Sequence, residues 1–253
     1  MPKPSTDWNN VADWYDELLE GKSDTYQNKV ILPNLLRILK IKPGHMILDL
    51  ACGQGFFSRA FYTAGAKVIG VDLAKNLIAH ARAHSPKEII YHVAPADKLV
   101  FLKNASVDCA TIVLALQNIK NLDGVMQECA RVLKPDGRLV LILNHPAFRI
   151  PGASAWGWDE EHKIQFRRVD HYLSEATNKI VMHPGARLSE ITISFHRPLQ
   201  LYFKTLAKHN FAVHRLEEWN SHKHSQRGPR AAAEDRARKE IPLFLMMEAV
   251  KLP

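Results

Sequence analysis

Short apolar runs alternate with helical patterns along most of the chain. The stretch Met46–Phe56 begins as an apolar run with period-two spacing and ends in a loop that contains two glycines. A helical pattern over Phe56–Thr63 follows at once, and a second apolar run, Lys67–Asp72, stops on an acid. This order predicts a strand, a tight turn, a helix and a second strand, which together form a βαβ unit.

The same alternation continues toward the carboxyl terminus and predicts a layered α/β protein. Pro33 interrupts one helical pattern, so we expect a kink or a break there. Asn210 stands where a helix over part of 194–210 ends, because asparagine tolerates the left-handed conformation. Further helices are predicted over 7–19, 24–39, 74–84 and 121–133, and further strands over 88–93, 106–114, 138–144, 211–219 and 241–251.

The pattern changes between residue 145 and about residue 190. This segment has little helical periodicity and is rich in aromatic and basic residues. It starts beyond the carboxyl end of the fifth predicted strand, where ligands bind in open α/β sheets. We therefore interpret 145–194 as an inserted substrate cap, with a hairpin formed by 179–181 and 189–194.

Composition is ordinary for a globular protein. The 253 residues are 46% hydrophobic and 24% charged, and no apolar run approaches the roughly 20 residues of a membrane span. The amino terminus lacks the apolar core of a signal peptide, which favours a cytoplasmic location. The spacing of Cys52, Cys109 and Cys129 suits neither zinc nor an iron–sulfur cluster, so we expect free thiols and no metal.

The net charge of +8 raises the possibility of a nucleic-acid partner. The basic residues are spread along the chain, and the one local excess, at 227–239, is interrupted by acids. That pattern favours a solvated surface helix over a nucleic-acid interface.

The glycine loop and the acid that follows it indicate an adenosine-containing cofactor. Gly53 and Gly55 permit a sharp turn and a close approach of a ligand, while Asp72 ends a strand at the place where a carboxylate can accept both ribose hydroxyls. Asp49 lies inside the first strand, where a carboxylate is costly unless it is hydrogen-bonded. The third glycine of a nicotinamide or flavin fingerprint is replaced by Ser58, which argues against those cofactors.

The string D-L-A-C-G-Q-G resembles the first motif, D/E-x-x-x-G-x-G, of the class I S-adenosylmethionine-dependent methyltransferases of the small-molecule type. The resemblance covers roughly 40–145 and 195–253. It implies a doubly wound, Rossmann-like seven-stranded sheet whose last strand inserts antiparallel to its neighbours. The implied division is an amino-terminal helical lid at 1–43, a methyltransferase domain at 44–144 and 195–253, and the cap.

The resemblance implies S-adenosylmethionine as cofactor and S-adenosylhomocysteine as product. The string A-P-A-D-K-L-V-F resembles the family's D-A-x-x-L-P-F loop, in which an acid holds adenine. Pro95 takes the place of that acid, so either Asp97 substitutes for it or backbone groups around Ala96 hold the ring. The expected cofactor-binding residues are Asp49, Ala51, Cys52, Gly53, Gln54, Gly55, Phe56, Asp72, Leu73, Ala96, Asp97, Leu114 and Ala115.

The acceptor site is expected between the fourth strand and the cap. L-A-L-Q-N-I resembles F-G-L-R-N-V of the ubiquinone and menaquinone biosynthesis methyltransferases, which aligns Asn118 with their asparagine. A segment that begins at His196 resembles H-R-x-L-x-x-Y, in which the histidine opens a helix beside the pocket. We expect the acceptor to contact Asn118, His145, Phe148, Arg149, Trp156, Tyr172 and His196.

The predicted reaction is transfer of a methyl group to an oxygen, nitrogen or carbon nucleophile of a small molecule. If the acceptor must lose a proton, histidine is the natural base near neutral pH, and His145 and His196 are the candidates. A phenolate or carbanion acceptor would need no base. The alternatives are methylation of a nucleic acid such as RNA, and binding of S-adenosylmethionine by a regulatory protein without turnover.

Overall fold

A seven-stranded sheet organises the molecule. The computed structural model describes residues 8–21, 23–181 and 191–253. The helices are α1 (Ala12–Glu20), α2 (Leu32–Leu39), α3 (Phe56–Thr63), α4 (Lys75–His84), α5 (Leu122–Val132), α6 (Leu199–Lys208) and α7 (Ala231–Glu240). The strands are β1 (Met46–Leu50), β2 (Lys67–Asp72), β3 (Ile90–Val93), β4 (Val107–Val113), β5 (Leu133–Asn144), β6 (Ser154–Asp159), β7 (Ile164–Val169), β8 (Ala176–Val181), β9 (Ile191–His196), β10 (Phe211–Trp219) and β11 (Phe244–Lys251).

The order of the strands in this sheet is β10-β11-β5-β4-β1-β2-β3. Strands β1 to β5 pair in parallel, whereas β11 lies between β5 and β10 and is antiparallel to both. The predicted doubly wound sheet with an inserted antiparallel last strand is therefore confirmed.

Alternating side chains of the strands fill two cores, one on each face of the sheet. On β1, Leu48 and Leu50 pack in the core that contains α5 and α6, while Ile47 packs in the core that contains α2, α3 and α4. Helix α2 contributes the fully buried Leu35 to this second core. Helix α2 is thus part of the sheet's core, whereas Ala12 of α1 packs in a separate small cluster with Ala74 and Leu77. The boundaries of the lid, the domain and the cap stay predictions.

The starts of α2 and β5 differ from the predicted ones, and the backbone conformation explains both differences. Pro33 lies in the first turn of α2, where a missing N–H costs little, and a π-helical turn, Gln27–Ile31, precedes it. Strand β5 starts at Leu133, five residues before the predicted strand, and contains a bulge at 134–137, because Val107 pairs with Leu133 while Cys109 pairs with Arg138.

The predicted cap contains more regular structure than its sequence indicated. The antiparallel hairpin β6–β7 was not predicted, so the expectation of an irregular segment is wrong there. The hairpin β8–β9 confirms the predicted pairing, with Ile180 opposite Thr192, although residues 189 and 190 lie outside the described residues. His196 ends β9 and does not open α6, which starts after Pro198. Asn210 has the expected left-handed conformation, with φ of 58°.

The amino-terminal helix α1 packs against α4. His80 Nε2 lies 2.8 Å from Asp13 Oδ1, and the Asn76 backbone N–H donates to Asn9 Oδ1 at 2.9 Å. Residue 7, where the first helix was predicted to start, is outside the described part of the chain. Among the described residues, none of the helices combines the length and the apolar character needed to cross a bilayer.

Gly70 on β2 is required for close packing beneath the glycine loop. A Cβ at this position would lie 2.5 Å from two carbons of the Tyr91 ring and 3.1 Å from Cys52 Sγ. We expect Gly70→Ala to lower the free energy of unfolding by about 1–3 kcal/mol, because the core must shift to admit a methyl group. Urea unfolding measures this difference.

Gly228→Ala is the matched control, since the nearest heavy atom to its added Cβ would be 4.0 Å away. Its unfolding curve should coincide with that of the wild type. Equal stability of the Gly70 and Gly228 variants would contradict the packing described here.

Candidate cofactor and acceptor site

The loop between β1 and α3 has three left-handed residues in five positions. Ala51, Gly53 and Gly55 have φ of 55°, 57° and 84°. A Cβ on Gly55 would lie 2.4 Å from the Tyr91 hydroxyl oxygen, so this glycine serves the packing of the loop onto the core. Glycine suits such positions because it lacks the Cβ that makes left-handed backbone costly. Ala51 was not expected to have this conformation.

Asp72 ties the loop to the end of β2. Its Oδ2 accepts a hydrogen bond from the Gly53 backbone N–H at 2.9 Å, and its Oδ1 accepts one from the Ala74 backbone N–H at 2.8 Å. Each carboxylate oxygen has two lone pairs and can accept more than one hydrogen bond. The carboxylate that was predicted to bind the ribose thus also shapes the loop beside it.

Asp49 is buried under the same loop. Its Oδ2 accepts from Ser58 Oγ at 2.6 Å, and its Oδ1 accepts from Thr111 Oγ1 at 3.2 Å. Burial raises the pKa of Asp49 to about 7, against the opposing effect of these hydrogen bonds. Ser58, which stands where dinucleotide-binding loops have a third glycine, therefore supplies a donor to a buried acid.

A cavity of about 280 Å³ opens over the ends of β1, β2 and β4. The side chain of Leu73, 49% exposed, offers an apolar surface in it. Asp97 also lines the cavity, and its Oδ2 accepts from Asn121 Nδ2 at 2.7 Å. Gly55 is the one predicted cofactor residue that does not line this cavity. Those that do are Asp49, Ala51, Cys52, Gly53, Gln54, Phe56, Asp72, Leu73, Ala96, Asp97, Leu114 and Ala115.

A second cavity, of about 580 Å³, adjoins the first. Both are lined by Trp8, Tyr15, Leu114 and Asn118. The second extends toward the cap hairpins, which places the predicted acceptor residues Asn118, Arg149 and Trp156 in its wall. This wall also contains Gln27, Gln117 and Arg167, which were not predicted from the sequence. For Arg167, the alternation of side chains along β7 was the available signal.

Tyr15 on α1 lies where the two cavities meet. Its ring approaches the glycine loop, since a Cβ on Gly53 would be 3.4 Å from Tyr15 Cε1. Trp8 meets it edge-on with ring centroids 5.4 Å apart, and Gln27 is a hydrogen-bond partner of its side chain. Burial raises the pKa of Tyr15 to about 12, so its hydroxyl stays neutral.

The two histidines proposed as bases lie outside both cavities. His145 is buried, its Nε2 lies 2.7 Å from Glu218 Oε1, and its Nδ1 accepts from the Ala147 backbone N–H at 3.2 Å. Burial lowers the pKa of His145, with Glu218 opposing the shift. His196 is buried at the end of β9, and its Nε2 donates to the Tyr172 carbonyl at 2.8 Å. These bonds hold each ring within the fold and away from both cavities, and a role of either histidine as a base stays a prediction.

Two aromatic residues predicted to contact the acceptor also have structural positions. Phe148 packs against His145, with ring centroids 4.7 Å apart, and its carbonyl accepts from Arg167 Nε at 2.8 Å. The Tyr172 hydroxyl accepts from the Leu199 backbone N–H at 3.0 Å, at the start of α6. Neither residue lines a described cavity, so neither prediction is supported.

Among the described residues, the cysteines and the side chains that could bind a metal ion add no reactive group to the site. Cys52, Cys109 and Cys129 are free and buried, as expected. Burial raises the pKa of each thiol, to about 12 for Cys109 and Cys129. In the part of the chain that the structure describes, no group of three or more His, Cys, Asp or Glu side chains is arranged to hold a metal ion.

Known proteins share this loop and fold. Residues 48–141 match a family model described as a methyltransferase domain. Ubiquinone biosynthesis O-methyltransferases from Xanthomonas oryzae and Bordetella avium are 34% identical over 101 residues and 30% identical over 130 residues. These alignments cover 39% and 50% of this chain and 42% and 54% of the relatives, so the chain spans about half the length of the curated relatives it matches.

A solved structure matches over nearly the whole chain. It is an S-adenosylmethionine-dependent methyltransferase from Mesorhizobium loti, 28% identical, with a TM-score of 0.69 and coverage of 92% of this chain and 99% of that one. The two chains therefore share one fold. Residues 48–141 are thus similar to a methyltransferase domain, and the solved structure that shares the fold is described as dependent on S-adenosylmethionine.

Asp49 gives the stability of the fold a defined pH dependence. Its pKa is about 7 in the folded chain and roughly 4 when unfolded, so between these values the folded state binds more protons. This contribution stabilises the fold below about pH 4, is lost as pH rises to about 7, and stays absent above that. We expect Asp49→Asn to gain stability relative to the wild type between pH 5 and pH 8, by at most about 4 kcal/mol.

Urea unfolding at pH 5, 6, 7 and 8 measures the difference between the two proteins at each pH. Asp170→Asn, a half-exposed acid paired with Arg168, is the control and should follow the wild type. Parallel pH profiles for the wild type and Asp49→Asn would contradict a raised pKa at this site.

Proposed function

We propose that this protein transfers the methyl group of S-adenosylmethionine to a nucleophile of a small molecule bound in the second cavity. One observation carries the proposal: the two cavities meet at Tyr15, Leu114 and Asn118. A cofactor in the first cavity and an acceptor in the second would face each other there. The names of the relatives, O-methyltransferases of ubiquinone biosynthesis, favour an oxygen nucleophile, while nitrogen and carbon stay open.

The residues around the first cavity fit this cofactor. We assign the ribose hydroxyls to Asp72, which ends β2 and lines the cavity, and the methionine portion to the loop around Gly53. Leu73 and the backbone around Ala96 would contact adenine, with Asp97 as the acceptor for its amine. Asp49 would hold the loop and favour a positively charged ligand above it.

The chain's part in the reaction is alignment. When bound, S-adenosylmethionine supplies a methyl group on a positively charged sulfur, which is already a good leaving group. The protein then has to align the nucleophile, the methyl carbon and the sulfur, and to exclude water. Trp8 and Tyr15, which border both cavities, are the residues that we assign to closing the site.

The second cavity supports an acceptor that needs no protein base. Among the described residues that line it there is no carboxylate and no imidazole. Tyr15, with its raised pKa, is neutral and cannot remove a proton near pH 7. A phenolate, a carbanion or another nucleophile that is acidic by itself fits this lining.

No contact between described residues favours the other two predicted activities, which are methylation of a nucleic acid and cofactor binding without turnover. The basic segment 227–239 overlaps most of α7, which packs against β7 and contributes no residue to the lining of either cavity. The cytoplasmic location and the choice against a nucleic-acid partner stay predictions.

A labelling experiment separates the three activities. The protein is incubated with S-adenosylmethionine labelled in its methyl group and with a dialysed or undialysed cell extract, and label is followed into small molecules, RNA and protein. We expect label in small molecules, and only with the undialysed extract. Label in RNA would contradict the proposal, and tight cofactor binding without label in any fraction would favour a regulatory role.

Asp72→Ala should weaken the binding of S-adenosylhomocysteine at least about tenfold, since it removes a charged acceptor of two hydroxyl donors. Asp72→Asn keeps one oxygen and should have an intermediate effect. Isothermal titration calorimetry measures both. Asp123→Ala removes an acid that pairs with Lys208 and His209 outside both cavities, and its affinity should be unchanged. Wild-type affinity in Asp72→Ala would remove the ribose assignment.

A further inference from the structure

Two arginines line the second cavity, and they come from different elements. Arg149 follows β5, and Arg167 lies on β7. The two side chains are close enough to interact: burial lowers the pKa of Arg167, and the positive charge of Arg149 lowers it further. Burial also lowers the pKa of Arg149. The cavity therefore holds two positive charges that repel each other, one on the exposed Arg149 and one on the half-buried Arg167.

The two guanidinium groups are held differently. Arg167 Nε donates to the Phe148 carbonyl and Arg167 Nη2 to Ser154 Oγ, both at 2.8 Å, and its Cζ lies 5.2 Å from the centre of the Trp156 ring. Arg149, in contrast, makes no side-chain hydrogen bond to any of the described residues. Arg167 is thus fixed against an aromatic wall, while the Arg149 guanidinium is the group available to a ligand.

Neither arginine is neutralised by the described part of the chain. No Asp or Glu occurs among the described residues that line the cavity, and neither Arg149 nor Arg167 has an ion pair with one there. A similar pair on the outer surface shows the contrast. Arg230 lies 4.5 Å over the Trp158 ring and also has Glu160 at 3.5 Å.

Positive charge that no described residue of the cavity lining compensates favours an anionic ligand. Guanidinium groups bind carboxylate and phosphate oxygens through charge-assisted, often bidentate hydrogen bonds, which are stronger than neutral ones. Trp156, 39% exposed, adds an aromatic surface beside the charges. The polar groups nearer the first cavity, Asn118 and Gln117, carry no charge.

We propose that the second cavity selects acceptors that carry an acidic oxyanion group, a carboxylate or a phosphate, which binds Arg149 beside the Arg167–Trp156 wall. This inference rests on the proposed function for the identity of the ligand as methyl acceptor. The oxyanion lies at the cap end of the cavity, and the nucleophile of the same molecule lies toward Leu114 and Asn118. Arg149 is a specificity-determining residue that binds the part of the acceptor that does not react.

Binding of three small probes tests the proposal without knowledge of the acceptor. Benzoate, phenyl phosphate and benzamide have the same ring and differ in charge and headgroup. Their affinities are measured by ligand-observed NMR titration in the presence of saturating S-adenosylhomocysteine. We expect at least one anion to bind at least about tenfold more tightly than benzamide, and the preferred anion identifies the headgroup.

Variants of Arg149 assign the binding to this cavity. Arg149→Gln should weaken the preferred anion at least about tenfold, and Arg149→Lys should keep part of the affinity because it keeps the charge. Arg230→Gln, which removes the arginine of the surface pair, is the matched control and should bind like the wild type. Thermal unfolding confirms that each variant is folded.

The outcomes separate this inference from the proposed function. Equal binding of benzamide and the anions, or full affinity in Arg149→Gln, overturns the anion site while S-adenosylhomocysteine still binds. Failure of the wild type to bind S-adenosylhomocysteine overturns the proposed function instead. Arg149→Gln should bind S-adenosylhomocysteine with wild-type affinity, since Arg149 does not line the first cavity.

Discussion

The hydrogen bonds of the Asp72 carboxylate hold the candidate cofactor site together. One oxygen accepts from the Gly53 backbone and the other from the Ala74 backbone, so a single side chain links the loop after β1 to the end of β2 and the start of α4. The loop is costly at Ala51, because a residue with a Cβ has left-handed backbone there. A charged acceptor that binds backbone N–H groups offsets this cost and presents the same carboxylate to the cavity. With the proposed ribose contact, ligand recognition and loop conformation would be coupled through Asp72.

The topology of the sheet explains why the two cavities adjoin. Strands β1, β2 and β4 are parallel neighbours, so their carboxyl ends and the loops that follow them share one edge. The chain reverses its direction of winding between β1 and β4, and such a switch point leaves a crevice for a ligand. Helix α1 covers this crevice on one side, and the hairpins of the cap adjoin it on another. The parallel sheet determines the position of the cofactor cavity, while the added segments determine what can reach it.

The sequence predicted those parts of the molecule that depend on local pattern. Alternation of apolar residues located β2 and β10 at the observed bounds, and the resemblance supplied the antiparallel insertion of β11, which periodicity could not. The residues of the glycine loop, Asp72 and Asp97 were identified because their motif is contiguous. The residues that line the second cavity were predicted less well, because the direction of a side chain in the cap depends on how the strands of its hairpins pair. His145 and His196 are bonded within the fold, and Arg167 was missed because its orientation follows from the pairing of β6 with β7.

The central claim is that Asp72 binds the ribose of a cofactor whose sulfur faces the second cavity. A crystal structure of the complex with S-adenosylhomocysteine tests it most directly. We expect both Asp72 oxygens to lie about 2.5–3.0 Å from the two ribose hydroxyl oxygens. We also expect the sulfur to lie beside Tyr15, Leu114 and Asn118. A ribose out of reach of Asp72, or a sulfur turned away from the second cavity, would contradict it.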